Sequence, residues 1–246
     1  MNRRAILAAL PAFALLVCAA CTSSPGAPPA GSEVVPPSTV LEFSVLYGQN
    51  CAGCHGANGE GGAGMALANP VFLAIADDTV IRRTAATGVP GTSMPAFAQS
   101  AGGMLTEKQI DALVRGIRSW AKPDALGNQM PPSYLAQGLG DPQRGADTYR
   151  TYCSSCHGPN GGGGSKASSI VDGSFLALVS DQQLRTIVIA GRPELGAPDW
   201  RGNVEGRPMS AQEISDVVAW LSSQKPTLPG HPYPIASTNP ANGGSR

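Results

Sequence analysis

The sequence is poor in the large rigid side chains that usually fill a protein interior: aromatics make up 5% of its 246 residues, against 31 glycines. A core built from side chains alone has little large apolar volume to draw on, so a small domain of this composition needs something else to complete it. Charge of one sign is missing as well. Seventeen basic and seventeen acidic residues balance, and no basic patch is available to track a phosphate backbone, which excludes nucleic acid as a natural partner. No apolar run is long enough for a stable membrane-spanning helix. The longest, residues 5–20, falls short of the ~20 residues such a helix needs. Histidine is scarce, three in all, which leaves few places for a site that uses imidazole.

What is present begins with an export pattern. Arg3 and Arg4 precede the apolar run, and a small-residue cleavage context follows, so residues 1–21 read as a signal peptide. The stretch Leu16-Val17-Cys18-Ala19-Ala20-Cys21 resembles the bacterial lipoprotein processing site, in which Cys21 is lipidated and becomes the new N-terminus. Cys18 stands where that pattern usually has Leu, and plain secretory cleavage near Cys21 is the alternative. Residues 22–38, rich in Pro, Gly, Ser and Ala, read as a flexible tether with a reach of roughly 20–25 Å. Lipid on Cys21 would hold the folded part at a membrane surface.

Six cysteines in an exported chain raise the question of a disulfide framework, but their arrangement answers it differently. Cys18 and Cys21 belong to the signal region, and the other four form Cys51-Ala52-Gly53-Cys54-His55 and Cys153-Ser154-Ser155-Cys156-His157. Two thiols at this spacing reach both vinyl groups of one porphyrin, and the adjoining His meets the iron from the same side. A zinc site would lack ligands, because only His231 remains outside the motifs. The reading is therefore two covalently bound c-type haems, with Cys51 and Cys54 on one, Cys153 and Cys156 on the other, and His55 and His157 as proximal iron ligands.

The two motifs open a tandem repeat with an offset near 102 residues. Each copy starts with a short helical run, 41–50 or 144–152, that carries Tyr47 or Tyr149 four residues before the first cysteine. A glycine-rich loop follows each motif, 56–59 or 158–161, and each copy closes with an amphipathic helix. The first closing helix is capped by Thr106 with Gln109 three residues on, and the second by Ser210 with Glu213. Trp120 and Trp220 are read on these closing helices as packing residues. Gly59-Glu60-Gly61-Gly62-Ala63-Gly64 satisfies the dinucleotide fingerprint, but no strand precedes it, so it is read as a haem-edge loop.

On these motifs the chain resembles the class I cytochrome c family over residues 39–124 and 141–225. The resemblance implies an all-α fold of two tandem small domains, each a few helices around one haem, joined by a linker at 125–140 and followed by an irregular tail at 226–246. It also implies a methionine sulfur on the distal side of the iron. Gly91-Thr92-Ser93-Met94-Pro95-Ala96-Phe97 carries the family's signature 39 residues after His55, so Met94 is the expected ligand of haem one, with Met65 and Met104 as weaker rivals. In the second copy, Ala197 stands where the ligand belongs, and alanine cannot bind iron. The residues leave three candidates: Met209, 52 residues after His157; an open or water-bound iron; and His231. Met209 also suits a bland role, because it directly precedes the N-cap Ser210, where an apolar residue packs on Ile214 and where the first copy has Leu105.

The expected function is electron transfer, one electron at a time, from a membrane dehydrogenase or quinol-oxidising complex to a terminal acceptor. It would take place in the periplasm or on the outer surface, and the chain itself would make and break no substrate bonds. A haem enzyme, a peroxidase or small-molecule reductase using an open second iron, is the alternative from another class.

Overall fold

The computed structural model describes residues 35–227. The signal segment with Cys21, residues 22–34 of the tether, and the tail from residue 228, His231 included, lie outside the described residues. Residues 35–39 hold only the 3-10 turn Pro37–Thr39, and the compact unit begins at Val40.

Ten α-helices lie in this unit among the described residues, five from each repeat, with a 3-10 turn in each, Gln99–Ala101 and Pro193–Leu195. The first five are α1 (Phe43–Asn50), α2 (Ala52–His55), α3 (Pro70–Ile75), α4 (Asp78–Thr87) and α5 (Glu107–Arg118). The second five are α6 (Pro142–Tyr152), α7 (Ser154–His157), α8 (Gly173–Ala177), α9 (Asp181–Ala190) and α10 (Ala211–Ser223). Among the described residues no strand forms; only the isolated bridges Ala98–Leu105 and Arg192–Ala197 occur. The expected all-α fold holds.

Local chemistry sets the helix limits. Thr106 with Gln109, and Ser210 with Glu213, form complete capping boxes, as the sequence predicts. Asn69 caps α3 with Pro70 in its first turn, and Asp141 caps α6 with Pro142 in the same role. That cap starts α6 two residues before the expected 144. The backbone turns at the first cysteine of each motif, where φ is −121° at Cys51 and −120° at Cys153. Each cysteine N–H nevertheless still donates to the carbonyl of Tyr47 or Tyr149. The motif thus leaves the first helix at a fixed angle and restarts as a single turn ending on His.

In each repeat the first helix crosses the last, α1 on α5 and α6 on α10. Close crossing requires one partner to give up its side chain, and the repeats do this in opposite ways. Gly145 of α6 lies against the Asp216 carbonyl and the Trp220 side chain of α10. At the aligned places, repeat one has Phe43 on α1 and Gly116 on α5, and any Cβ on Gly116 would collide with the Phe43 ring. Trp220 is therefore the counterpart of Gly116 along the helix, and Trp120 lies two residues beyond the end of α5, yet both rings cover the same aligned places, Tyr47 and Gly59 in one repeat and Tyr149 and Gly161 in the other. Trp120 meets Tyr47 edge-on at 5.0 Å, whereas Trp220 stacks on Tyr149 at 4.3 Å. The expectation that both tryptophans sit on closing helices is corrected for Trp120.

One continuous apolar cluster runs through both repeats, from Leu46, Val71 and Leu113 to Ile189, Trp200, Met209 and Ile214. Helix α3 of repeat one packs on α9 of repeat two, and the buried Asn69 amide donates to the Ala190 carbonyl at 2.9 Å. The aligned arginines of α4 and α9 have diverged. Arg82 pairs with Glu107 and Asp111 of α5. At the positions aligned with these acids, α10 carries Ala211 and Ser215. Arg185, 3% exposed, instead bonds Ser215 and the Ser133 and Tyr134 carbonyls of the connecting segment. The buried cation is satisfied by carbonyls and thereby pins the connector to repeat two.

Asp216 is the buried acid of α10. Burial would raise its carboxyl, but bonds from the Arg144 guanidinium, the Asp141 N–H and Gln212 outweigh that and hold it below the usual carboxylate value. Two outcomes follow. The variant G116W loses about 1–3 kcal/mol by overpacking, and in the F43G background it loses less, because the ring that a Cβ on residue 116 strikes is gone. Denaturant unfolding of the four-member cycle measures the coupling, and strictly additive losses would contradict the crossing described. Asp216→Asn costs about 1–3 kcal/mol at pH 7. Since the folded carboxyl titrates below its unfolded value of about 3.9, this stabilisation is complete above about pH 4 and is lost as pH falls further. Wild-type and variant melting temperatures should therefore converge on acidification.

Candidate haem sites

The four cysteines are free of disulfides; Cys54 and Cys156 are exposed, and Cys51 and Cys153 are partly buried. Burial, with the neighbouring cysteine, pushes the Cys51 thiol up to about 11 and Cys153 up to about 12. In the unmodified chain both therefore stay neutral thiols. Among the described residues no group of three or more His, Cys, Asp and Glu could hold a metal ion. The donor set suits two thioethers and an imidazole on a porphyrin rather than a zinc tetrahedron.

Each imidazole is oriented by a backbone carbonyl. His55 Nδ1 lies 2.8 Å from the Met65 carbonyl, and His157 Nδ1 lies 2.8 Å from the Ser168 carbonyl. An acceptor at that nitrogen assigns the proton to Nδ1 and leaves the Nε2 lone pair for iron, the arrangement that outer-shell partners impose on metal-bound histidine. Burial pushes the His55 imidazole down from its ordinary value, which favours the neutral ligand form at pH 7. The loop that presents the carbonyl leaves no room for side chains: a Cβ on Gly64 would lie 2.7 Å from His55 Cε1 and 2.8 Å from Nδ1. A second tie closes each motif, since the Tyr47 hydroxyl donates to the Gly56 carbonyl at 2.9 Å and Tyr149 donates to Gly158.

The loops after α4 and α9 share one backbone form. Gly88 (φ 64°) and Gly191 (φ 70°) adopt the same turn, and each has a proline, Pro95 or Pro198, folded against it. The Val89 N–H donates to the Met94 carbonyl at 3.0 Å, and the Arg192 N–H donates to the Ala197 carbonyl at 3.0 Å. Ala197 thus occupies the backbone place of Met94. Further on, the Leu105 N–H donates to the Phe97 carbonyl at 2.7 Å, and the Met209 N–H donates to the Trp200 carbonyl at 2.9 Å. Met209 therefore occupies the backbone place of Leu105. It is 3% exposed within the shared cluster, and its sulfur lies 3.9 Å from the Asn203 amide nitrogen.

Met94 is partly buried in its loop, whereas Met104 is 81% exposed. Met65 packs on the shared cluster, and its carbonyl is engaged by His55. Sequence reasoning missed the carbonyl partners of both histidines and the Asn203 contact. The glycine-rich stretch after each motif was the only signal for the carbonyls, and nothing local pointed to Asn203.

Thiol pair, oriented imidazole and glycine-loop support together define a c-type cytochrome site. The chain matches the family described as "Cytochrome C oxidase, cbb3-type, subunit III" over residues 39–115 and 140–221, one segment on each repeat, and it belongs to that family. Cytochrome c domains of this kind carry covalently bound haem c. The "Cytochrome bc1 complex cytochrome c subunit" of Mycobacterium bovis is 25% identical over 181 residues, 72% of this chain and 60% of the relative. The "Cbb3-type cytochrome c oxidase subunit CcoP" of Azospirillum sp. (strain B510) is 32% identical over 138 residues, 52% of this chain and 41% of the relative. The chain thus spans 60% or less of the length of these curated relatives. Among solved structures, a reducing HAO-like protein complex of Kuenenia stuttgartiensis aligns at 20% identity over 79% of this chain and all of that chain, with a TM-score of 0.43.

Replacing Gly64 by valine should push the His55 ring off its carbonyl and raise the high-spin fraction in the absorption spectrum of the purified haem protein. The same change at the exposed Lys166 in the turn of repeat two, one residue before the counterpart of Gly64, should leave the spectrum as it was. Equal effects at the two positions would contradict the support described for His55.

Proposed function

We propose that the chain is an exported dihaem c-type cytochrome that passes single electrons between respiratory partners. The observation that supports this most is the doubling of one complete site: each repeat has its own thiol pair, its own carbonyl-oriented imidazole and its own tyrosine tie. Haem c supplies a one-electron couple when bound, and His55 and His157, held by their carbonyls, would present Nε2 to it while Cys54 and Cys156 stay exposed. Relatives named as subunits of a bc1 complex and of a cbb3-type oxidase support a place between a membrane dehydrogenase or quinol-oxidising donor and a terminal acceptor. Lipid on Cys21 would keep the protein at the membrane on the periplasmic or outer side.

Within this reading, Cys51, Cys54, His55 and Met94 serve haem one, and Cys153, Cys156 and His157 serve haem two. For the sixth ligand of haem two, the match of Met209 to Leu105 favours packing over coordination, and the match of Ala197 to Met94 leaves the distal loop without a thioether. This geometry supports the second reading, an iron in repeat two that is open to a small ligand. The test is a holoprotein set carrying two haems per chain. Met209→Leu should leave the spin state of both haems unchanged, and Ala197→Met should add a second methionine-to-iron charge-transfer band in the near infrared. A haem-two change in Met209→Leu would return Met209 to the iron, and fewer than two haems per chain would end the dihaem proposal.

A further inference from the structure

The loop that orients His55 is held in turn by a side chain from the other repeat. Arg192 lies on α9's exit loop, next to Gly191. Its Nη2 donates to the Gly62 carbonyl at 2.8 Å, while its Nε is bonded to the Glu194 carboxylate. Gly62 belongs to the turn that ends on Met65: the Gly62 N–H donates to the Gly64 carbonyl, the Gly64 N–H donates to the Cys54 carbonyl, and Gly64 lies flat against the His55 ring. Glu194 reaches the same turn from the side, within van der Waals range of where a Cβ on Gly61 would stand. The ion pair is largely sheltered, with 15% of the arginine side chain and 22% of the glutamate side chain exposed. Its charges are accordingly screened less than those of a surface pair.

Nothing equivalent stands at the aligned place of repeat one, where Val89 replaces Arg192. The Arg192 main chain bonds Ala197 within its own loop, so truncating the side chain leaves the repeat-two loop tied.

We propose that Arg192, supplied by repeat two, is the positioning and charge-setting residue for the haem of repeat one. It fixes the Gly62–Met65 turn, and its cation disfavours the oxidised, more positive iron, so it raises the potential of the His55 haem relative to that of the His157 haem. The proposal rests on the dihaem reading.

Spectroelectrochemical titration of the full holoprotein tests it. In Arg192→Gln, one of the two midpoint potentials should fall and the other should stay. Arg192→Lys should restore most of the fall, and Glu194→Gln, which frees the cation, should move the same haem upward. The affected haem is identified by proton NMR of the reduced protein as the one whose axial-methionine signal vanishes in Met94→Ala. A folded Arg192→Gln protein with both potentials unmoved, a shift on the other haem, or a downward shift in Glu194→Gln would overturn the proposal. A contact that merely braces the repeats would lower the melting temperature in all three variants without the opposite signs. If Met94→Ala removes no signal, the ligand assignment has failed, and the Arg192 variants still report whether one potential alone moves.

Discussion

The hydrogen bond from each proximal histidine to a loop carbonyl is the constraint on which the rest of the architecture turns. An imidazole that must face iron with Nε2 needs an acceptor at Nδ1, and the acceptors here are the backbone oxygens of Met65 and Ser168. Bringing a backbone that close to a ring excludes side chains, hence the glycine at residue 64. The loop must in turn be anchored. Tyr47 and Tyr149 anchor its start from the first helix, and each first helix is fixed by its crossing with the last. A chain with few aromatics spends several of them on these struts, which accords with a core completed by a prosthetic group.

Much of this was legible in the sequence because it is local. The Cys-x-x-Cys-His motifs, the capping boxes at Thr106 and Ser210, and the glycine loops depend on residues a few positions apart, and the repeat offset aligns one copy with the other. The rest depends on pairs distant in sequence. The exchange of Gly145 and Trp220 for Phe43 and Gly116 appears only when two helices are laid across each other, and it lets rings attached at different points of the chain, Trp120 and Trp220, cover the same place beside Tyr47 and Tyr149. The tie from Arg192 to Gly62 spans 130 residues, and no periodicity announces it. The place of Met209 was half legible: its position before the N-cap Ser210 suggested packing, and the main-chain bond to Trp200 supplies the geometric reason.

The two copies have diverged in ways that reinforce one another. On the dihaem reading, repeat one keeps Met94 as the distal thioether of its haem, and Arg192 holds the turn beside His55 from outside. Repeat two has Ala197 in the corresponding loop and one extra residue in the turn after its motif, so that Ala167 stands where repeat one has Gly64. It also replaces the acids that pair with Arg82 by Ala211 and Ser215, and uses the freed Arg185 to bind the connector. On the proposed reading the result is one site with a distal thioether and one without, in a single packed unit. An electron carrier with two unequal centres can be built from a duplicated one in this way.

This inequality is tested most directly by near-infrared magnetic circular dichroism of the wild-type holoprotein during a redox titration. The prediction is a methionine-to-iron charge-transfer band with the intensity of one haem in two, belonging to the centre of higher potential. A band accounting for both haems, or for neither, would contradict it.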